Sequence, residues 1–271
     1  MNENTVAFIG AGNMARALIA ALVKQGYPAH NIIAANPSSD KLTALAADFG
    51  IATTNDNIAA VLQADVIVLC VKPQLMANVC QDLIAQAPSI QEKLFVTVAA
   101  GIPVSRYESW LGEVRLVRAM PNTPSQVGLG VTGLYPSRCS NYEKSFVDQL
   151  FQPAGLTVWL DDESQINAII AVTGSAPAYF FYFMQAMQEM AVQLGFDHEQ
   201  ARAMVLQTAA GSAALAAQAD VSFEQLRAQV TSKGGTTHEA IESFRRDGLE
   251  LSVKTAMQAA IRRAEELAAT L

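Results

Sequence analysis

The sequence predicts an α/β protein in two parts, an N-terminal domain built on a mostly parallel sheet and an all-helical C-terminal domain. Three observations support this class. Apolar runs typical of buried parallel strands alternate with stretches of helical period over residues 1–160. The first strand runs directly into a glycine turn and a helix start. Over residues 161–271 only helical periods occur.

The first element pair is a strand over residues 6–9, followed by the spacing Gly-x-Gly-x-x-Ala and a helix start. In this spacing Gly10 permits the sharp turn, Gly12 lets the backbone approach a pyrophosphate, and Ala15 lets the helix pack closely on the strand. Free N–H groups at the helix start then face an anion. We therefore predict a Rossmann-type dinucleotide-binding domain over residues 1–160, although an ordinary tight turn also uses glycine.

The second strand, over residues 31–35, ends at a polar turn that an adenosine ribose would meet. A site that prefers NAD usually places Asp or Glu here, whereas this chain has Asn36. Asn36, Ser38 and Ser39 offer neutral donors and Lys41 lies nearby, so a 2′-phosphate meets no repulsion. The turn therefore predicts NADP, with NADPH preferred over NADH. The alternative is simple turn chemistry with a serine N-cap for the next helix.

A polar turn caps a short helix, and three strand-like runs follow, over residues 65–71, 94–98 and 114–120. Each run ends in a turn of small residues or proline. These turns are Lys72-Pro73, Ala99-Ala100 and residues 121–124. In an open parallel sheet, ligands bind outside the carboxyl ends of the strands, so we expect the turns to line one crevice at the nicotinamide end. Taken singly, each turn is explained as one that simply ends a strand. The last strand-like run covers residues 156–160.

Composition excludes several classes of function. The chain has 271 residues, of which 51% are hydrophobic and 16% charged, so it is too apolar to be disordered. A formal charge of −7 leaves no basic stripe for nucleic acid. Three cysteines without Cys-x-x-Cys spacing indicate neither a disulfide framework nor a metal site. This cysteine usage fits a reducing compartment, so we predict a cytoplasmic protein. The N-terminus shows no basic region of the kind that begins a signal peptide.

One uncharged segment, residues 164–188, is long enough to cross a bilayer. A Gly-Ser-Ala-Pro break interrupts it and acidic residues flank it, so we predict two buried helices and no membrane span. Residues 205–219 are uncharged and rich in alanine, and residues 253–267 carry an apolar stripe at helical spacing. Helices with so little polar face need a cover, and a second subunit is the expected one. We predict a homodimer or a higher homo-oligomer.

A loop between two of these helices, residues 230–240, combines glycines and threonines. Gly234 and Gly235 precede Thr236 and Thr237, which begin the next helix and present N–H groups and hydroxyls together. Such a helix start is a good receptor for a small carboxylate. A capped interhelical turn explains the same residues equally well, so the spacing alone leaves both interpretations open.

Six motifs occur in order along nearly the whole chain. They cover residues 10–14, 71–74, 99–101, 120–124, 174–179 and 231–237. Together these motifs resemble the pyrroline-5-carboxylate reductase family, and the Gly-Ser-x-Pro-Ala-Tyr stretch and the Gly-Gly-x-Thr loop are quite specific to it. The resemblance implies an NAD(P)H-dependent reduction of 1-pyrroline-5-carboxylate to L-proline, the last step of proline biosynthesis. It also implies that the helical domain dimerises and completes the substrate pocket.

The resemblance also implies site residues, carried over position by position. The cofactor contacts would be Gly10, Ala11, Gly12, Asn13, Met14, Asn36, Asn55, Val71, Lys72, Pro73, Ala99 and Ala100. The substrate-binding residues would be Gly234, Gly235, Thr236, Thr237 and Ser175. Backbone N–H groups of the loop would hold the carboxylate, and Thr237 would be the catalytic residue, with its hydroxyl at the ring nitrogen. A cyclic imine can enter already protonated, so hydride transfer needs positioning more than a strong acid.

The chain departs from the family pattern at Lys233, where proline is usual, and at Ala176, where glycine is usual. A lone lysine most simply points to solvent. His238 and Tyr179 are further candidates for an acid role, although a helix surface and a core edge explain them more simply. Two other functions stay open, another NADP-dependent imine or β-hydroxyacid reductase and a non-catalytic NADP-binding regulator. A β-hydroxyacid reductase would need a lysine on the first interdomain helix, and residues 161–202 contain none.

Overall fold

The computed structural model describes residues 4–270, with the side chains of residues 4–268. Within that range the sheet contains the strands β1 (Val6–Ile9), β2 (Ile32–Ala35), β3 (Ala52–Thr54), β4 (Val66–Leu69), β5 (Leu94–Thr97), β6 (Arg115–Met120), β7 (Gly130–Ser137) and β8 (Gly155–Trp159). Their spatial order is β3-β2-β1-β4-β5-β6-β7-β8. Neighbouring strands are parallel except β6 and β7, which are antiparallel. The predicted mostly parallel sheet is confirmed.

Helices alternate with the strands and then replace them. They are α1 (Asn13–Lys24), α2 (Ser39–Phe49), α3 (Asn57–Gln63), α4 (Pro73–Gln86), α5 (Val104–Leu111), α6 (Asn141–Phe151), α7 (Gln165–Ile169), α8 (Ala176–Gln193), α9 (His198–Gln218), α10 (Phe223–Gln229), α11 (Thr236–Arg246) and α12 (Leu249–Thr270). A π-helical turn, Ile170–Gly174, lies between α7 and α8. Among the described residues no strand follows β8, as the sequence predicts.

Helices cover both faces of the sheet because successive side chains of a strand point to opposite faces. Phe8 of β1 packs with Leu18 and Leu22 of α1 in one buried cluster. Ile9 of β1 lies in the other cluster, with Met76 of α4. Burial on both faces explains the continuous apolar runs of these strands. The chain winds outward in both directions from β1 and β4, which is the doubly wound Rossmann arrangement with its switch point between these strands.

The sequence pattern does not predict β3 or β7. β3 is a short edge strand whose first residue, Ala52, is exposed. β7 contains Gly133 and Pro136, and both residue types are rare in strands. Gly133 is required because a Cβ atom there would lie 2.8 Å from Cγ1 of Ile169. β7 forms because it pairs with β6 on one side and β8 on the other, and local sequence carries no signal for that pairing.

The chain divides into two compact units. The first combines Met1–Ser175 with Ala260–Leu271, and the second is Ala176–Ala259. The predicted boundary after residue 160 separates strands from helices, whereas the compact units divide after Ser175 because α7 packs against β7. The first unit therefore holds the whole sheet, and the second holds α8 to α11 entire.

The second unit exposes large apolar side chains. Phe180, Phe181 and Tyr182 of α8 are 68%, 64% and 75% exposed, and none of the α8 residues is buried. The prediction of two buried helices over residues 164–188 is therefore wrong for the single chain. Within the described residues, Gln165–Gln193 is long and apolar enough to span a bilayer, a test that core helices of water-soluble proteins also pass. An apolar helix face of this size requires a cover.

Candidate functional site

The glycine turn after β1 is shaped by its neighbour β4. Gly10 has φ of +103°, and a Cβ atom there would lie 2.8 Å from the carbonyl oxygen of Cys70. Its N–H donates to the carbonyl oxygen of Ala35 at 2.8 Å. Backbone conformation and close approach both require glycine at this position. The turn is thus locked between the ends of β2 and β4, at the switch point of the sheet.

Gly12 meets a different requirement. It is the N-cap of α1, and a Cβ atom built on it would have no protein atom within 4 Å. In the described chain no side chain caps α1, so the N–H groups of its first turn have no side-chain acceptor. The protein itself would accept a side chain at Gly12, and the open space lies where an anion meets a helix start. The residues here fit a dinucleotide pyrophosphate.

Two asparagines hold the loop after β2 against the glycine turn. The side-chain oxygen of Asn36 accepts from the N–H of Ala11 at 3.2 Å, and its amide donates to the carbonyl of Ser38 at 3.1 Å. The Asn55 amide donates to the carbonyls of Asn36 and Pro37 at 2.9 and 3.3 Å. These contacts join the loop after β2 to the glycine turn, and the sequence pattern does not predict them.

The start of α2 lies in this same loop region. Ser38 is the N-cap of α2, but its side chain makes no capping hydrogen bond. The alternative explanation of this turn is a serine that caps the helix. Ser38 does occupy the N-cap position, but its hydroxyl accepts no hydrogen bond from the helix. Ser38, Ser39 and Lys41 are exposed, and Asp40 adds one negative charge to the first turn. Exposed hydroxyls, uncapped N–H groups and a lysine together provide donors for a phosphate.

The backbone hydrogen bonds between neighbouring strands extend into the first residue after β4 and after β5. The N–H of Cys70 donates to Ile9 at 2.8 Å, and the N–H of Val98 donates to Leu69 at 3.2 Å. Lys72 is the exposed N-cap of α4, and Pro73 is its first residue. The three turns predicted to line one crevice thus follow β4, β5 and β6, which lie side by side in the sheet.

Buried polar side chains support the turn after β5, and the sequence pattern does not predict them. Thr97 and Tyr107 are fully buried, and their hydroxyl oxygens lie 2.6 Å apart. Burial raises the pKa of the Tyr107 phenol beyond its usual range, although the hydrogen bond with Thr97 opposes this. Arg118 of β6 is buried and ion-paired with Glu163. In the sequence, only the charge of Arg118 within the apolar run of β6 signals this group.

Asn122 connects the end of β6 to the π-helical turn. Its amide donates to the carbonyl of Thr173 at 3.0 Å, and its oxygen accepts from the N–H of Val131 at 2.9 Å. The turn ends where the N–H of Ser175 donates to Ile170 at 2.7 Å. Single π turns inside helices occur frequently at functional sites. Asn122 therefore fixes the helical turn that leads into Ser175.

The glycine and threonine loop of the second unit also has an uncapped helix start. Gly234 has φ of +71°, and Gly235 is the N-cap of α11, with no side chain capping that helix in the described chain. Thr236 and Thr237, the first residues of α11, are exposed, as is Lys233. Since the first N–H groups of α11 have no side-chain acceptor in the described chain, this helix start is able to receive a small anion.

The two further candidate acids, His238 and Tyr179, differ in their surroundings. His238 is half-buried on α11. The phenol oxygen of Tyr179 on α8 is buried and has no hydrogen-bond partner among the described residues.

The predicted cofactor residues lie in the first unit, at and after the carboxyl ends of the strands. The predicted substrate loop lies in the second, and Ser175 ends the first.

The chain is similar to known proteins over its whole length. Residues 163–267 match a family model for pyrroline-5-carboxylate reductase dimerisation, and residues 5–101 match one for NADP oxidoreductase, coenzyme F420-dependent. A pyrroline-5-carboxylate reductase of Vibrio alginolyticus is 50% identical over 270 residues, with 98% of both chains covered. A solved pyrroline-5-carboxylate reductase structure from Coxiella burnetii matches with a TM-score of 0.94 and 40% identity, covering 98% of this chain and 99% of that chain. A Plasmodium falciparum pyrroline carboxylate reductase with NADP bound shares the fold, with a TM-score of 0.86, 24% identity and 99% of both chains covered.

Proposed function

The chain belongs to the pyrroline-5-carboxylate reductase family, and we propose that it reduces 1-pyrroline-5-carboxylate to L-proline with NADPH, the last step of proline biosynthesis. The observation that carries this proposal is the glycine turn at the switch point. At Gly10 the fold has no room for a side chain. At Gly12 it has room, and this residue lies at the uncapped start of α1. The fold leaves room for a side chain at Gly12, yet the residue is glycine. We take this as a sign that a ligand occupies the space.

The loop after β2 supports NADPH over NADH. Asn36 stands where an NAD site usually has a carboxylate, and its own oxygen is engaged by the N–H of Ala11. The start of α2 offers uncapped N–H groups and the hydroxyl of Ser38, with Lys41 in its first turn. The Ser39 hydroxyl donates to Oδ1 of Asn55 at 3.4 Å. A 2′-phosphate would find donors here, and the charge of Asp40 is the opposing contribution. The remaining cofactor contacts are those implied by the family resemblance.

The substrate loop supplies binding and orientation. The N–H groups of Gly234, Gly235 and Thr236 would hold the substrate carboxylate at the start of α11, where the helix dipole favours an anion. The Thr237 hydroxyl would orient the ring nitrogen. When bound, NADPH supplies the hydride that adds to the imine carbon. Because the imine can arrive protonated, the chain has to align the reactants and exclude water, and it needs no strong acid.

The remaining functional proposals concern assembly and location. The exposed aromatic face of α8 and the match to a dimerisation model support a homodimer or a higher homo-oligomer in which the second subunit covers that face. A small imino acid is the substrate, with no role for nucleic acid or a membrane. A cytoplasmic location agrees with free thiols at Cys70, Cys80 and Cys139.

The test is oxidation of NADPH, and separately NADH, by the purified protein given 1-pyrroline-5-carboxylate. We expect turnover with both cofactors and a lower KM for NADPH. Thr237→Ala should lower kcat by about ten-fold or more, the scale for loss of one transition-state hydrogen bond. Thr237→Ser keeps the hydroxyl and serves as the matched control. Tight NADPH binding without turnover would instead favour a non-catalytic regulator.

A further inference from the structure

The loop between β5 and α5, residues 98–103, is held at both ends by buried polar groups. This loop contains Ala99 and Ala100, two of the proposed cofactor contacts. It lies on the β4–β5–β6 side of the switch point, the side on which a dinucleotide bound at the glycine turn places its nicotinamide half. The position of this backbone therefore bears on where the reactive ring rests.

Thr97 holds the start of the loop. It is the last residue of β5, and its Oγ1 is 2.6 Å from the phenol oxygen of Tyr107 on α5. The same oxygen accepts from the N–H of Ala99 at 3.3 Å. Both side chains are fully buried. The strand end, the loop and the following helix are thus joined through one threonine hydroxyl.

Glu163 holds the end of the loop. Its Oε1 accepts from the N–H of Val104, the first residue of α5, at 2.7 Å. The same oxygen accepts from Nη1 of Arg118 on β6. The side chains of Arg118 and Glu163 are 8% and 29% exposed. One carboxylate oxygen therefore joins α5, β6 and the segment that precedes α7.

An ion pair with a buried arginine and a half-buried carboxylate contributes little to stability by itself. Removing two charges from water costs more than their attraction commonly returns, and an apolar pair of similar volume is often as stable. Such a pair does fix geometry, because the buried guanidinium must keep its carboxylate. We infer that Arg118 and Glu163 are positioning residues that hold the loop of Ala99 and Ala100 against the nicotinamide end of the bound cofactor. This inference rests on the proposed function.

The chain offers a matched control pair on the same strand. Arg115, at the opposite end of β6, pairs with the buried Glu143 at 2.9 Å. Glu143→Gln removes a charge beside an arginine as Glu163→Gln does, but far along the strand from the turns that follow β4 and β5. Both variants keep a carbonyl oxygen as acceptor. We expect both variants to lose stability. Only Glu163→Gln should alter the position of the nicotinamide ring.

The first experiment compares the three proteins with saturating NADPH and 1-pyrroline-5-carboxylate. In Glu163→Gln we expect kcat to fall by about ten-fold and the primary deuterium isotope effect of 4-deuterated NADPH on kcat to rise, because misaligned hydride transfer becomes slower. Glu143→Gln should keep both values while its melting temperature falls. Equal kcat and isotope effect in folded Glu163→Gln and wild type would overturn the inference.

The second experiment needs no turnover. Nicotinamide fluorescence of bound NADPH reports the surroundings of the ring, so its emission should differ between wild type and Glu163→Gln and agree between wild type and Glu143→Gln. Unchanged emission in Glu163→Gln would overturn the positioning role. If wild type binds NADPH but does not reduce 1-pyrroline-5-carboxylate, the proposed function fails, while the fluorescence comparison still decides this inference.

Discussion

A methyl group on Gly10 would lie 2.8 Å from the carbonyl oxygen of Cys70, so the turn after β1 and the turn after β4 approach as closely as a glycine allows. A methyl group on Gly12, two residues further on, would meet no other part of the protein within 4 Å. The two glycines of one motif are therefore small for different reasons. One satisfies the fold, and we propose that the other leaves room for the ligand.

This difference predicts opposite outcomes for two alanine variants. Gly10→Ala should destabilise the protein, since a strained φ alone costs about 1–3 kcal/mol and the contact with Cys70 adds to it. Gly12→Ala should keep the wild-type free energy of unfolding but weaken NADPH binding by about ten-fold or more, because the methyl group occupies the pyrophosphate space. Urea unfolding and NADPH fluorescence titration measure the two effects. Wild-type NADPH affinity in Gly12→Ala would contradict the proposed site.

Asn36 is predicted to control cofactor choice. Asn36→Asp keeps an oxygen that accepts from the N–H of Ala11, but it places a negative charge near the proposed 2′-phosphate position. We expect the ratio of kcat/KM for NADPH over NADH to fall by about ten-fold or more, on the scale of one lost charge-assisted contact. Steady-state kinetics with both cofactors measure this ratio.

Asn36→Ala is the control for that experiment. It removes the contact with Ala11 without adding charge, so it should weaken NADPH and NADH to a similar degree. An unchanged ratio in Asn36→Asp would place the 2′-phosphate away from this loop.

The native thiols should be unreactive near neutral pH. Burial raises the pKa of the Cys70 and Cys80 thiols to about 12 and that of Cys139 to about 11. At pH 8 the reactive thiolate is then a fraction on the order of 10⁻³ or less. We expect slow labelling of the folded protein by Ellman's reagent and three thiols per chain in guanidinium chloride. Rapid labelling of the folded protein would contradict this burial.

Tyr27 should make stability fall at alkaline pH. Its phenol donates to the carbonyl of Asn4 at 2.6 Å, and burial, followed by the charge of Asp65, raises its pKa to about 12 from 10.0. Above pH 10 the unfolded chain loses this proton while the folded chain keeps it. The contribution is therefore complete below pH 10 and is lost as the pH rises toward 12. Tyr27→Phe should show a shallower decline in urea unfolding over that interval, and equal slopes would refute the assignment.

Much of the fold follows from local pattern. Buried parallel strands leave continuous apolar runs, so β1, β4, β5 and β6 are predicted from the sequence, and the glycine spacing predicts the turn that follows β1. β7 escapes prediction because Gly133 and Pro136 argue against a strand, and only pairing with β6 and β8 makes it one. Asp56, by contrast, caps α3 through its own carboxylate, a local contact that the polar turn before α3 predicts.

The candidate site divides in the same way. Gly10, Gly12, Gly234 and Gly235 are found from spacing because a tight turn or helix start places its requirement on adjacent residues. The contact of Asn36 with Ala11 spans 25 residues, and those of Glu163 with Arg118 and Val104 span 45 and 59 residues. A hydrogen bond between residues so far apart in sequence depends on how separate helices and strands pack. Short-range periodicity therefore does not predict it.

By itself, the sequence determined the class of fold, the dinucleotide turn, the all-helical C-terminal part and, through its motifs, the family. Each of these depends on spacings of a few residues, which backbone sterics and side-chain periodicity translate directly into local structure. Only the tertiary structure decided that the Cys70 carbonyl leaves no room for a side chain at Gly10. It also decided that Asn36 contacts the glycine turn and that one oxygen of Glu163 joins Val104 to Arg118. Those contacts exist because packing brings together residues that the chain keeps far apart.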